Sequence, residues 1–231
     1  RTLLNEGGGP CTPERVLSFR MNPEAAKLGA ASDFFNGIFR GVHTVNRRNP
    51  RDERCAPILP GLSARSGLLG LGNVVQVFGS APILKELRES AEVMALEETE
   101  IIEGIGRSDV DAADFEEFPG IALVRVRAGD RETAGDLARR AARDARAGRA
   151  PSAALKAKMS RSRVQAGRRA EEGCAHLMLG QKRLTFRAVP ARPTRTITVS
   201  TYGLRAQSET GGFPVAELPP ALANLAELAD A

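Results

Sequence analysis

Apolar and polar residues alternate over Arg15–Met21 (RVLSFRM), which predicts a first strand with one buried face. Ser32 is a suitable N-cap, and Phe34, Phe35, Ile38, Val42 and Val45 then recur at helical spacing, so a helix is expected to follow. Asn46 to Ala56 is polar, basic and interrupted by Pro50, which reads as a loop. Ala56–Leu62 and Gly72–Phe78 predict two further strands. A helix from Pro82 to about Met94 comes next, with proline in its first turn. Glu98–Glu103 completes the series as a fourth strand. This β-α-β-β-α-β order is the ferredoxin-like pattern, which RNA-recognition folds also use.

Pro119 and Gly120 mark a boundary, so the expected organisation is α+β in two parts. Residues 1–118 form a ferredoxin-like (RRM-like) domain carrying site residues on its first helix. Residues 119–231 are expected to form a second, α+β domain with arginine-rich helices and glycine-containing strands. Within the second part, Ile121–Arg127 (IALVRVR) predicts a strand, and a basic segment of two helices broken near Gly148–Pro151 follows it. Short strands are expected at Cys174–Leu179, Arg183–Val189 and Arg195–Thr201, and an amphipathic helix at Pro219–Ala231.

Charge changes this picture more than composition does. The formal net charge is +5, a modest excess, but it is concentrated. Arg131 to Arg169 holds twelve Lys and Arg against three Asp and Glu, whereas Glu86 to Glu117 is acidic. Such asymmetry points to an anionic partner meeting one part of the molecule. A single Tyr and no Trp argue against a broad stacking platform for single-stranded nucleic acid. Cys11, Cys55 and Cys174 are far apart and only His43 and His176 accompany them, so no metal site or other cofactor is expected. The odd cysteine count and the lack of a recognisable signal peptide suggest a reducing cytoplasm. The longest apolar stretch, Gly67–Leu84, is broken by glycines, Asn73, Gln76 and Pro82, so no membrane span is expected.

On the first helix, Asn36, Arg40, His43 and Arg47 fall within roughly a 60° arc opposite the apolar side. A histidine between two arginines on such a stripe is either an incidental surface residue or a general acid–base group beside phosphate-binding cations. Histidine suits that role because its unperturbed pKa is about 6.5. In the basic segment Arg139, Arg143 and Arg146 share a helical stripe with Arg140 alongside, among small alanines that permit close approach to a groove. Arginine forks match phosphate oxygens and guanine edges. Arg125 and Arg127 just upstream are candidate base contacts, and Arg149, Lys156, Lys158, Arg161 and Arg163 extend the cationic surface. Gly203, Gly211 and Gly212 beside Tyr202 could bring backbone N–H groups close to phosphate, although a glycine turn is most often just a turn.

Several of these pieces together resemble the CRISPR repeat-processing endoribonucleases, in the same order over most of residues 15–215. Phe39-Arg40-Gly41-Val42-His43 resembles the type I-F segment carrying the catalytic histidine. Pro60-Gly61-Leu62-Ser63-Ala64-Arg65-Ser66 and the strand Val74–Phe78 resemble its next hairpin. Arg125-Val126-Arg127-Ala128 stands where that branch reads bases, ahead of an arginine-rich helix at Asp136–Arg149. Tyr202-Gly203-Leu204 and Gly211-Gly212-Phe213 are similar to its terminal signature. The longer basic stretch, to Arg169, makes the type IV counterpart the nearer likeness.

The resemblance implies metal-independent cleavage of a repeat hairpin to mature crRNA. His43 would deprotonate a 2′-hydroxyl oriented by Tyr202, leaving a 2′,3′-cyclic phosphate and a 5′-hydroxyl. It also implies retention of the crRNA within an effector complex of other CRISPR subunits. The serine that the type I-F branch places beside its histidine has no clear match, since Gly180-Gln181-Lys182-Arg183 occupies that neighbourhood. Chemistry assisted by Arg20, Arg40 or Arg205 is therefore the open variant, and His176 in a strand reads as structural. The competing readings are a non-catalytic subunit capping a guide RNA and a basic structural protein that binds many RNAs.

Overall fold

The structure, a computed structural model, describes residues 8–49, 53–65, 68–126, 141–148, 150, 152, 155–156, 175–179, 182–206, 209–219 and 222. The first elements are β1 (Gly9–Cys11), β2 (Arg15–Met21), α1 (Pro23–Lys27), α2 (Ala31–Arg48), β3 (Ala56–Ile58), β4 (Ser63–Arg65) and β5 (Leu68–Gly70). Then come β6 (Val74–Gly79), α3 (Ala81–Arg88), α4 (Ala91–Glu98), β7 (Ile102–Asp109), α5 (Asp114–Glu117) and β8 (Gly120–Arg125). The last are β9 (Ala175–Leu179), β10 (Lys182–Pro193), β11 (Ile197–Val199) and β12 (Gly211–Pro214). The architecture is α+β, and the described residues form two four-stranded sheets and two two-stranded ones.

The first large sheet has the order β3-β6-β2-β7 and is antiparallel throughout. Alternation along β2 sends Leu17, Phe19 and Met21 into the core with Val75 and Val77 of β6, while Ser18 and Arg20 take the opposite face. Helices α3 and α4 pack beside α2, and a Cβ at Gly37 or Gly41 of α2 would press on Leu96 at 2.7 Å or Leu87 at 3.1 Å. These two glycines, one turn apart, let α4 and α3 approach the backbone of α2.

Several element limits differ from expectation. Helix α2 starts before Ser32, so that residue is no N-cap; its hydroxyl lies within the first turn, 3.2 Å from the amide of Asn36. The helix also runs on to Arg48, taking Asn46 out of the expected loop, because Asn46 is fully buried and bonded. The single helix expected at 82–94 is two, since the Ser90 side chain caps a new start by accepting from Val93 N–H. The fourth strand lies at Ile102–Asp109 rather than Glu98–Glu103, since Glu98 ends α4 and β2 offers a partner along the whole later segment.

The second large sheet has the order β12-β8-β10-β9. Strand β10 is longer than expected, and β12 forms where a phosphate-binding glycine turn was conceivable. Its glycines serve packing, because a Cβ at Gly211 would collide with Thr194 and one at Gly212 would come within 3.0 Å of the Ile121 carbonyl. Strand β1, also unanticipated, pairs with β11. One apolar cluster runs through residues on both sides of Pro119. Phe78 of β6 stacks on Phe213 of β12 at 5.2 Å, joining the two sheets directly, and Phe39 of α2 stacks on Phe186 of β10 at 5.6 Å.

Among the described residues, no helix is long and apolar enough to cross a membrane. Residues 141–146 are helical, with Arg143 and Arg146 exposed, as is Lys156. Arg127, Arg139, Arg140, Arg149, Lys158, Arg161 and Arg163 lie outside the described residues, as do the side chain of His176 and most of the expected C-terminal helix.

Candidate active site

Phe39 and His43 stand one turn apart on α2, so both face the same neighbour. Phe39 meets Phe186 of β10, and His43 stacks on Tyr202 with ring centroids 4.1 Å apart and planes within 7°. Two parallel aromatic pairs, one turn apart, thus fasten α2 to the second half of the chain. Each such pair contributes about 0.5–1.5 kcal/mol beyond its buried area. Residues 159 positions apart in sequence, both singled out from the sequence, are brought into ring contact.

Tyr202 lies in the tight turn 200–204, which the chain holds in three ways. Ser200 N–H donates to the Leu204 carbonyl at 2.8 Å, and Gly203 N–H to the Ser200 carbonyl at 2.9 Å. Gly203 adopts φ +71°, and a Cβ there would collide with Pro57 and come within 2.8 Å of the Cys55 carbonyl. Asn46, three residues after His43, supplies the third restraint. Its amide donates to the Cys55 carbonyl at 2.8 Å and the Thr201 carbonyl at 3.2 Å, and its oxygen accepts from Cys55 N–H at 2.9 Å. One buried side chain therefore ties α2, the approach to β3 and the Tyr202 turn together. Gly203→Ala combines a left-handed backbone with a steric clash and is expected to cost about 2 kcal/mol or more in stability. Chemical denaturation measures this; an unchanged midpoint would mean that the turn relaxes freely.

Arg125 ends β8 on the same sheet face as Phe186, its partner in the ladder. This places its guanidinium 5.9 Å from the Tyr202 ring centroid, within cation–π range. Arg40 and Arg47 are exposed on α2, about 4.5 and 6 Å along the helix axis on either side of His43. His43 and Tyr202 are themselves half-buried, so the stack keeps an accessible edge. The site thus offers a proton-accepting ring, a phenol and three guanidinium groups that suit an oxyanion of phosphorus.

The remaining candidates lie elsewhere. Arg20 is exposed on the opposite face of the first sheet from the buried Leu17 and Phe19. Arg205 pairs across the sheet with Val124, whose side chain alternates with that of Arg125, so the two arginines take opposite faces. Its guanidinium donates to the Thr210 and Gly211 carbonyls, both at 2.9 Å, which clasps the loop ahead of β12. Burial and the nearby Arg187 guanidinium push the Arg205 pKa down.

Two residues that sequence reasoning passed over support this arrangement. Asn46 read as the start of a loop, and Arg54 as one charge in it. Arg54 is 2% exposed and donates to the Val199 carbonyl at 2.9 Å, which anchors β11 behind the Tyr202 turn. Only the position of Asn46, at helical spacing from His43, could have flagged it. Cys11 and Cys55 are fully buried, and burial pushes both thiols up, so they stay protonated. Among the described residues, no three His, Cys, Asp or Glu side chains converge. No protein-family model matches the chain, and no curated protein matches it.

Proposed function

We propose that this chain is a metal-independent endoribonuclease of the CRISPR repeat-processing kind, binding an RNA hairpin and cutting it at the His43–Tyr202 stack. The observation that carries this reading is the stack itself, flanked by Arg40, Arg47 and Arg125. The β-α-β-β-α-β order and the sheet order β3-β6-β2-β7 support a ferredoxin-like first half, with the first strand inside and the second and fourth at the edges.

In this mechanism His43 accepts the proton of the 2′-hydroxyl, and Tyr202 orients that hydroxyl toward the adjacent phosphorus. The 2′-oxygen–phosphorus bond forms as the bond to the 5′-oxygen breaks, giving a 2′,3′-cyclic phosphate. The leaving 5′-oxygen takes a proton from water. The nucleophile belongs to the RNA, so no external water need be activated. The arginines bind the phosphate and offset the charge that builds on its oxygens. The product crRNA stays bound, and cytoplasmic effector-complex subunits are the partners this reading implies.

The test is cleavage of an end-labelled repeat hairpin in EDTA. The reading expects a product with a 2′,3′-cyclic phosphate, and none from a hairpin carrying a 2′-deoxy sugar at the cut. Tight binding without cleavage of either hairpin would favour a subunit that caps a guide RNA, which the exposed Arg143, Arg146 and Lys156 would also serve. Phosphate contact by Arg40 and Arg47 has its own signature. Replacing both with Ala is expected to lower the slope of log affinity against log salt by about 1–2. An unchanged slope in a filter-binding titration would remove them from the RNA interface.

A further inference from the structure

Strand β7 carries two glycines that the fold does not require. Gly104 and Gly106 have no left-handed backbone, as Gly29, Gly72, Gly148 and Gly203 do. A Cβ on Gly104 would meet nothing within 4 Å, and one on Gly106 would make only ordinary contact with Ser18 at 3.6 Å. Glycine weakens a strand interior, and where neither backbone angle nor packing demands it, close approach of a ligand is a recognised reason for its presence. Both residues lie on the open face, paired across the ladder with Arg20 and Ser18.

A groove of about 530 Å³ lies over this bare strand, within the size range of small-molecule sites. Ser18, Arg20, Val74, Glu103, Gly104 and Gly106 line it. The irregularity in pairing between Arg20 and Met21 leaves Glu103 as the extra residue of β7, beside the partner of Arg20. Arg20 and Glu103 are both exposed, and neither forms an ion pair among the described residues. An arginine fork and a carboxylate beside a flat surface match one nucleobase. Guanine offers O6 and N7 as acceptors to the arginine and its N1–H and amino group as donors to the carboxylate.

We infer that the groove over β2 and β7 holds an unpaired guanine, read by Arg20 and Glu103 while the base lies on the bare backbone of Gly104 and Gly106. Adenine presents the reverse pattern, an amino donor where guanine has O6, and is rejected by the arginine. The guanine belongs either to single-stranded RNA next to the bound hairpin, which rests on the function proposed above, or to a free nucleotide.

Titration of the purified protein with GMP and with AMP, followed by equilibrium dialysis, tests the groove without reference to cleavage. GMP is expected to bind about tenfold or more tightly than AMP, as one bidentate base contact provides. Gly104→Val, a strand-favouring residue in open space, is expected to abolish GMP binding at an unchanged or higher Tm. Glu103→Gln, on the surface, is expected to erase the preference for GMP. Equal binding of the two nucleotides, or GMP binding unaffected by Gly104→Val, overturns the inference. Hairpins with single-stranded G or A flanks then separate the sources. A preference for G flanks that Gly104→Val removes assigns the base to RNA, whereas GMP selectivity without flank selectivity assigns it to a free nucleotide. Failure of the wild type to cut a flankless hairpin would count against the nuclease reading and leave the groove standing.

Discussion

On the proposed function, His43→Ala is expected to lower single-turnover cleavage of a repeat hairpin in EDTA by about 10²–10⁴-fold, the usual contribution of a positioned acid–base group. Hairpin affinity is expected to change little, because the arginines proposed to meet phosphate are separate side chains on α2 and β8. The imidazole is held by its stack on Tyr202 and placed between Arg40 and Arg47, so removing it would take away the proposed proton acceptor and leave the arginines in place. Single-turnover rates at saturating protein measure the effect independently of product release. Loss of cutting with retained binding assigns the chemistry to His43. Undiminished cutting by a folded His43→Ala protein would sink the assignment and move the chemistry to Tyr202 and the arginines. Of these, Arg40 and Arg125 are close to the site, while Arg20 and Arg205 occupy other faces.

The second large effect is expected at a residue that touches no RNA in this mechanism. Asn46→Ala removes the partner of the Cys55 N–H, the Cys55 carbonyl and the Thr201 carbonyl at once. Each buried group left unsatisfied costs about 1–3 kcal/mol, and because the three share one site the total is expected near 3 kcal/mol. Denaturant unfolding measures that loss. Cleavage should fall as well, since the Tyr202 turn loses its tie to α2. Leu87→Ala provides the comparison: a fully buried leucine on α3 whose apolar side chain makes no hydrogen bond to the turn, lost at about 2–5 kcal/mol. Under conditions where both variants remain folded, only Asn46→Ala should impair cutting. Equal activity in the two would reduce Asn46 to a stability residue.

Tyr202 gives both experiments an internal reporter. It is the only tyrosine, and the chain has no tryptophan, so tyrosine emission reads this one environment. A change on Asn46→Ala that Leu87→Ala lacks would show the turn moving apart from any general loss of stability.

What the sequence determined by itself was local. The alternation in Arg15–Met21 and the helical spacing from Phe34 to Val45 appear in the structure as β2 and α2, because each pattern has only one way to bury its apolar face. The stripe opposite the apolar side was legible only in part: Arg40 and Arg47 are exposed, whereas Asn36 on the same arc is buried and His43 is half-buried against Tyr202. Strand β7 was misplaced, since IEGIGRSD has little strand preference of its own and is held by its partner β2. Strand β12 was read as a turn, because its glycines answer to Thr194 and Ile121, which are remote in sequence.

Only the tertiary structure decided the site. The resemblance implied that positions 43 and 202 share a site, but no apolar or charge pattern says that their rings stack, or that Asn46 is buried rather than solvated. Those facts depend on Phe39 meeting Phe186 and on Gly203 closing against Cys55–Pro57. The same packing separated Arg20 and Arg205 from the stack. Strand alternation assigns a face only once the strand's partners are known, and those partners are set by contacts that span most of the chain.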